Sequence, residues 1–120
     1  MAKILVVEDS ITNRKVIVSY LQGLGHQTVE AGDGIEGEAV ALKEKPDCIV
    51  LDVVMPNRNG FELLRDLRKT PGFEKTPIIM LTSKDQDSDK FWGMKQGAND
   101  YLTKPFSEED LGKAVGKYVK

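Results

Sequence analysis

The feature that most restricts this chain is a five-fold alternation of a short apolar run with a longer segment of helical period. The runs are Lys3-Ile-Leu-Val-Val-Glu8, His26-Gln-Thr-Val-Glu30, Cys48-Ile-Val-Leu-Asp52, Pro77-Ile-Ile-Met-Leu-Thr82 and Asp100-Tyr-Leu-Thr103. The first, third and fourth are nearly continuous in Val, Ile and Leu, as parallel strands buried on both faces must be. The second alternates, which suits a sheet edge. The segments between them carry apolar residues at a 3.6-residue period.

Each helical segment has its own punctuation. The first follows Asp9 or Ser10 as N-cap, places Ile17, Tyr20, Leu21 and Leu24 on one face and stops at Gly25. The second follows Asp33-Gly34, with Ile35, Ala39 and Leu42 as its stripe, and Lys45-Pro46 ends it. The third uses Phe61, Leu64 and Leu67, and the fourth Phe91, Met94 and Ala98, with Gly97 near its end. The fifth follows the capping segment Ser107-Glu-Glu-Asp110 and uses Leu111, Ala114, Val115 and Tyr118. Such alternation predicts an α/β fold: a doubly wound five-stranded parallel sheet, order 2-1-3-4-5, with helices on both faces and right-handed crossovers. The segment Thr70-Pro-Gly-Phe-Glu-Lys-Thr-Pro77 reads as a surface loop.

Composition agrees with one domain over residues 1–120. A chain of 120 residues buries enough surface in one core to need no metal or disulfide staple. Its 40% hydrophobic and 30% charged residues and net charge of −2 argue against disorder and against sequence-independent nucleic-acid binding. The single cysteine, Cys48, excludes an internal disulfide and a Cys-rich zinc site, and it reads as a small core residue. No export signal is legible, and no apolar stretch approaches the roughly 20 residues needed to span a bilayer. A cytoplasmic location with no membrane partner is expected.

In open α/β sheets the site lies outside the carboxyl ends of the strands, near the reversal of strand order. The first strand ends in Glu8-Asp9, the third in Asp52, the fourth in Thr82-Ser83, and the fifth leads into Lys104-Pro105. Taken singly, these are a helix cap, a turn starter, a strand end and a solvated lysine. Their conjunction on one edge favours function. Three gathered carboxylates call for a hard divalent cation such as Mg²⁺, which prefers a few carboxylates and keeps positions for water or phosphate oxygens. An ammonium and a hydroxyl facing that ion make a receptor for a phosphoryl group. With no histidine or cysteine at this edge, the nucleophile would be a carboxylate, and attack on phosphorus would give an acyl phosphate.

The arrangement Glu8-Asp9, Asp52-x-x-Met55-Pro56-x-x-x-Gly60, Thr82-Ser83 and Gly97-Ala98-x-x-Tyr101-x-x-Lys104-Pro105-Phe106 resembles the receiver domain of two-component response regulators. The resemblance runs from Lys3 to the last helix and implies a flavodoxin-like three-layer sandwich. With no residues left for an output domain, it points to the stand-alone, chemotaxis type. The stretch Phe91-Trp-Gly-Met-Lys-Gln-Gly-Ala98 is similar to regulators of twitching motility and phototaxis.

The resemblance implies that Asp52 takes a phosphoryl group from a partner histidine kinase, making the chain a phosphoacceptor switch that catalyses only its own phosphorylation and dephosphorylation. Asp9, Asp52 and the Val54 carbonyl would bind Mg²⁺ directly, with Glu8 acting through water. Thr82 and Lys104 would grip the phosphoryl oxygens, Tyr101 would be an aromatic switch following Thr82, and the Lys104–Pro105 bond would be cis. Signal would leave through the fourth helix, fifth strand and fifth helix, by residues such as Lys90, Tyr101, Thr103 and Phe106, to a downstream protein.

Two departures from the family pattern stand out. Glu8 replaces the commoner aspartate. Val54 and Lys84 occupy positions that tune hydrolysis, and neither is an amide or carboxylate able to orient a water, so slow self-dephosphorylation is expected.

Other readings fare worse. Gly32-Asp33-Gly34-Ile35-Glu36-Gly37 matches G-x-G-x-x-G, and Asp52 lies 20 residues beyond Gly32, but the motif follows an edge strand and not the central one. A turn plus helix start explains it better. An aspartyl phosphatase would need a second acid where Val54 stands. A flavin carrier would need a hydroxyl-rich loop where Glu8-Asp9 stands, and an unphosphorylated scaffold would lack Asp52, Lys104 or the acidic pair. His26 lies away from this edge. Trp92 is off the fourth helix's stripe and reads equally as core or as interface.

Overall fold

The computed structural model describes residues 2–84 and 86–119. Ten elements alternate along the chain: β1 Lys3–Val7, α1 Ile11–Gly23, β2 Gln27–Ala31, α2 Gly34–Glu44, β3 Cys48–Leu51, α3 Gly60–Arg68, β4 Ile78–Thr82, α4 Asp87–Gln96, β5 Asp100–Thr103 and α5 Glu108–Gly116. The five strands pair in parallel in the order β2-β1-β3-β4-β5. That is the doubly wound order the apolar runs predict, with the alternating run at one edge.

Strand pleating divides the core in two. Leu5, Val7, Ile49, Leu51, Ile78 and Met80 face one side, against Ala41 of α2 and Leu63, Leu64 and Leu67 of α3. Ile4, Val6, Cys48, Val50, Ile79 and Leu81 face the other, against Ile17 and Leu21 of α1 and Leu111, Ala114 and Val115 of α5. Cys48 is fully buried, as its place in the third run requires. Four of the five helix starts share a local reason. Ser10, Asp33, Asn59 and Ser107 accept hydrogen bonds from the backbone N–H of the third residue of α1, α2, α3 and α5, satisfying donors that the helix leaves over.

The apolar stripes of α2 and α4 are not the buried faces. Ile35, Ala39 and Leu42 are exposed, and α2 buries Gly34, Gly37 and Ala41 instead. Phe91 and Met94 likewise point outward while Gly93 is buried; Ala98, beyond the end of α4, is buried as expected. The cause is physical. A helix packs closely through glycine and alanine, which carry almost no hydrophobic signal, and its larger apolar residues then fall outside. Leu24, expected on the inner face of α1, is also exposed.

Candidate functional site

Sheet register brings the polar residues together. Val7 pairs with Leu51, so the next residues, Glu8 and Asp52, leave the sheet side by side. Ladder bonds continue one step past the strands: the Glu8 N–H donates to the Ala31 carbonyl (3.1 Å) and the Asp52 N–H to the Val7 carbonyl (3.0 Å). Thr82 pairs with Thr103, and the Lys104 N–H donates to the Thr82 carbonyl at 2.8 Å. Lys104 therefore starts at the far strand and reaches back over the sheet end. Its Nζ donates to Glu8 Oε1 at 2.6 Å and to Asp52 Oδ2 at 3.3 Å. The Lys104–Pro105 peptide is cis.

The three acids differ in exposure. Glu8 is 1% and Asp52 6% exposed, whereas Asp9 faces solvent. One carboxylate oxygen from each lies within 4.8 Å of the others. Burial pushes the Glu8 carboxyl up to about 6; the Lys104 hydrogen bond opposes this, and the charge of Asp52 adds to the rise. Burial works to lower the Lys104 ammonium, but its bond to Glu8 and the charges of Asp52 and Glu8 win, so it stands above its ordinary value. The donor set is made of hard oxygens with one acid open to solvent, which fits a divalent ion such as Mg²⁺ that keeps part of its water.

Val54 follows Asp52, and Thr82 and Tyr101 meet the loop after β4. Thr82 is fully buried, with Oγ1 accepting from the Lys84 N–H at 3.4 Å. The Val54 N–H donates to Asp52 Oδ1 at 3.3 Å, and its side chain is 52% exposed. Tyr101 is half-buried against Gly93, and its hydroxyl donates to the Lys84 carbonyl at 2.9 Å. Thus the Tyr101 ring and the Thr82 side chain meet the same short loop. His26 is remote; its Nδ1 accepts from the Ala2 N–H at 3.3 Å.

One neighbour escaped the sequence reading. Arg14 donates to the Glu8 carbonyl at 2.7 Å and to Glu30 Oε1 at 3.1 Å, tying the acidic loop to α1 and β2. An arginine on the first turns of a helix gives no signal that separates this from a solvated side chain.

Known proteins share this architecture. The family model of the response regulator receiver domain matches residues 4–116. Protein PilH of Pseudomonas aeruginosa is 47% identical over 115 residues, covering 96% of this chain and 95% of that protein. The crystal structure of chemotaxis protein CheY4 of Vibrio cholerae superposes with a TM-score of 0.93 at 39% identity, covering 99% of both chains. The receiver domain of the Pseudomonas aeruginosa sensor histidine kinase PA1611, solved with a magnesium ion coordinated in its active-site cleft, superposes with a TM-score of 0.90 at 32% identity, covering 98% of this chain and 96% of that one. With its sheet order, its gathered acids and a match over nearly its whole length, the chain belongs to the response regulator receiver domain family of two-component signalling, and within it is similar to the chemotaxis and twitching-motility type.

Proposed function

We propose that residues 1–120 act as one stand-alone receiver that accepts a phosphoryl group on Asp52 from a histidine kinase and thereby changes its affinity for a downstream protein. The observation that carries this is the buried Asp52 carboxylate, set between Lys104 and the oxygens of Glu8 and Asp9. Asp9, Asp52 and the Val54 carbonyl would hold Mg²⁺, with Glu8 acting through water, and when bound the ion supplies charge neutralisation at the phosphoryl oxygens.

This chain's residues do the rest. An Asp52 carboxylate oxygen forms a bond to phosphorus as the bond from phosphorus to the donor imidazole nitrogen breaks, and the released imidazole takes up a proton. Such transfer depends on positioning and charge more than on covalent chemistry. Lys104, already within reach of Asp52, neutralises charge gathering on the phosphoryl oxygens. The Thr82 hydroxyl donates to one of those oxygens.

Movement of Thr82 and its loop then reaches Tyr101 through the Lys84 carbonyl. That shifts a pre-existing equilibrium between two arrangements of the α4, β5 and α5 face. The proposed face takes in Lys90, Tyr101 and Thr103, with Phe106 half-buried edge-on to Tyr20 of α1, and α4 adds Phe91, Trp92 and Met94, all three exposed. Exposed aromatic anchors are the residues that carry protein interfaces. Among the described residues no helix is long and apolar enough to cross a membrane, and the cytoplasm is the proposed location. Val54 leaves no side-chain amide or carboxylate to orient a hydrolytic water, so the acyl phosphate would be long-lived.

The test is intact-mass measurement after incubation with Mg²⁺ and acetyl phosphate. A single phosphoryl adduct is expected on the wild type and none on Asp52→Asn. Equal adducts on both, or none on either, would overturn the reading, and turnover of a free phosphate ester would mark a phosphatase instead.

A further inference from the structure

The glycine-rich stretch that imitates a dinucleotide motif has a different use, visible in what it touches. Residues 52–59 connect β3 to α3 and contain both Asp52 and the Val54 carbonyl. The ends of this loop are secured locally: the Gly60 N–H donates to the Val53 carbonyl at 2.9 Å, and Asn59 caps α3 in a reciprocal box with Glu62. Its tip is secured by other elements. Asn57, at a left-handed φ of 69°, donates from Nδ2 to Asp33 Oδ2 at 3.3 Å, while the other oxygen of Asp33 caps α2.

Arg58 goes further. Its Nη1 donates to Glu38 Oε1 of α2 at 2.7 Å, and its Nη2 donates to Asp66 Oδ2 of α3. The Arg58 carbonyl lies so close to Gly34 that a Cβ there would stand 2.4 Å from its oxygen. The motif therefore supplies a cap, an acceptor and a gap, all used by one loop. Val54 is 52% exposed, while Val53 and Met55 on either side are buried in the core, so the tip contacts act on a loop anchored beside the site.

We propose that Arg58 is a positioning residue: by forking between α2 and α3 and seating its carbonyl on Gly34, it sets where the Val54 carbonyl and the Asp52 carboxylate stand, and so how tightly the site takes a divalent cation. This rests on the metal-dependent reading given above. A planar guanidinium reaches two separate carboxylates at once, whereas an ammonium on a flexible stem acts as a single point charge. Groups that orient metal ligands typically change affinity by 10- to 100-fold when removed, and Arg58 acts one step further out through backbone, so about three- to tenfold is expected.

The test is calorimetric titration of the full chain with Mg²⁺, beside the dependence of acetyl phosphate phosphorylation on Mg²⁺ concentration. Arg58→Ala should weaken Mg²⁺ binding by that factor, with Arg58→Lys and Glu38→Gln in between. The phosphorylation rate at saturating Mg²⁺ should stay within about twofold of wild type, as for a lost positioning contact that binding can restore.

Lys3→Ala is the control. It breaks a comparable half-buried pair, Lys3 Nζ to Glu44 Oε1 at 3.1 Å, at the opposite end of β1, and should lower thermal stability without moving the Mg²⁺ affinity. A folded Arg58→Ala with wild-type affinity, or an equal loss in Lys3→Ala, overturns the proposal. If Arg58→Ala does not fold, wild-type affinity in both Arg58→Lys and Glu38→Gln overturns it too. Absence of a phosphoryl adduct on the wild type would instead sink the reading of Asp52, and absence of Mg²⁺ binding would sink both.

Discussion

The loops that leave β3 and β4 start from neighbouring strands, and the helices they lead into are packed very differently. Behind the first, α3 buries Gly60, Leu63, Leu64 and Leu67, and the loop tip is tied to α2 by Arg58 and Asn57. Behind the second, α4 buries only Gly93, while Phe91 is 66%, Trp92 45% and Met94 47% exposed. The Tyr101 hydroxyl donates to the Lys84 carbonyl in the β4–α4 loop. Segments with few buried apolar contacts lie at the low-stability end of a protein. By that measure α3 is a platform, and α4 is the helix held by less buried apolar surface. A phosphoryl group on Asp52 would bias the less buried helix and leave its own binding site standing.

The largest effect that tests this contrast is Gly60→Ala. A Cβ there would stand 2.0 Å from the Asp52 carbonyl oxygen, so backbone must move, at a cost of about 3 kcal/mol or more. Urea denaturation reads it, and a loss within about 0.5 kcal/mol, the range of an ordinary surface change, would remove the platform. Next comes a matched pair. Leu64→Ala, in a fully buried position of α3, should cost about 2–5 kcal/mol, and Phe91→Ala on α4 less than about 0.5 kcal/mol. Equal losses would erase the difference between the two helices.

A third prediction concerns the charge buried beside Asp52, at the end of β1. The Glu8 carboxyl stands at about 6 in the folded chain against an ordinary 4.5, so the native state binds its proton more tightly than the unfolded one. That contribution is fully present below pH 4.5 and is lost as pH rises through about 6. In chelator-treated protein, Glu8→Gln should therefore gain on the wild type by about 2 kcal/mol across this window. Urea melts at a series of pH values would show it; a constant difference would mean that the carboxylate is not strained by its burial.

The smallest effect is at Gly93, where a Cβ would lie 3.0 and 3.1 Å from the Tyr101 ring. Alanine gains about 1 kcal/mol over glycine in a helix, and crowding of the ring should cancel it. In a Tyr101→Ala background the gain should reappear. Additive changes would show that α4 and Tyr101 are not coupled through this contact.

How much of this was legible beforehand depended on what each residue type says by itself. Runs such as Ile4–Val7 and Ile78–Leu81 announce buried parallel strands because every position is apolar. The strand ends then place Glu8, Asp52 and Lys104 at one edge of the sheet, while the register that makes them touch appears only in the structure. The stripes of α2 and α4 misled because Gly34, Gly37 and Gly93 pack by having no side chain, which no hydrophobic period records. Arg14 and Arg58 were illegible for a related reason. Each is a cation among polar neighbours, and only the approach of Glu8, Glu38 and Asp66 gives it a task.

Sequence alone thus determined the fold class and the edge where the acids gather, since those follow from apolar periodicity and from where each strand ends; the sheet order was expected as the common one for five such strands. Tertiary structure decided which helix faces are buried, how Lys104 divides itself between Glu8 and Asp52, and which of α3 and α4 is held by more buried apolar surface. These are matters of distance between residues far apart in the chain, and local pattern carries no information about them until the sheet has brought them together.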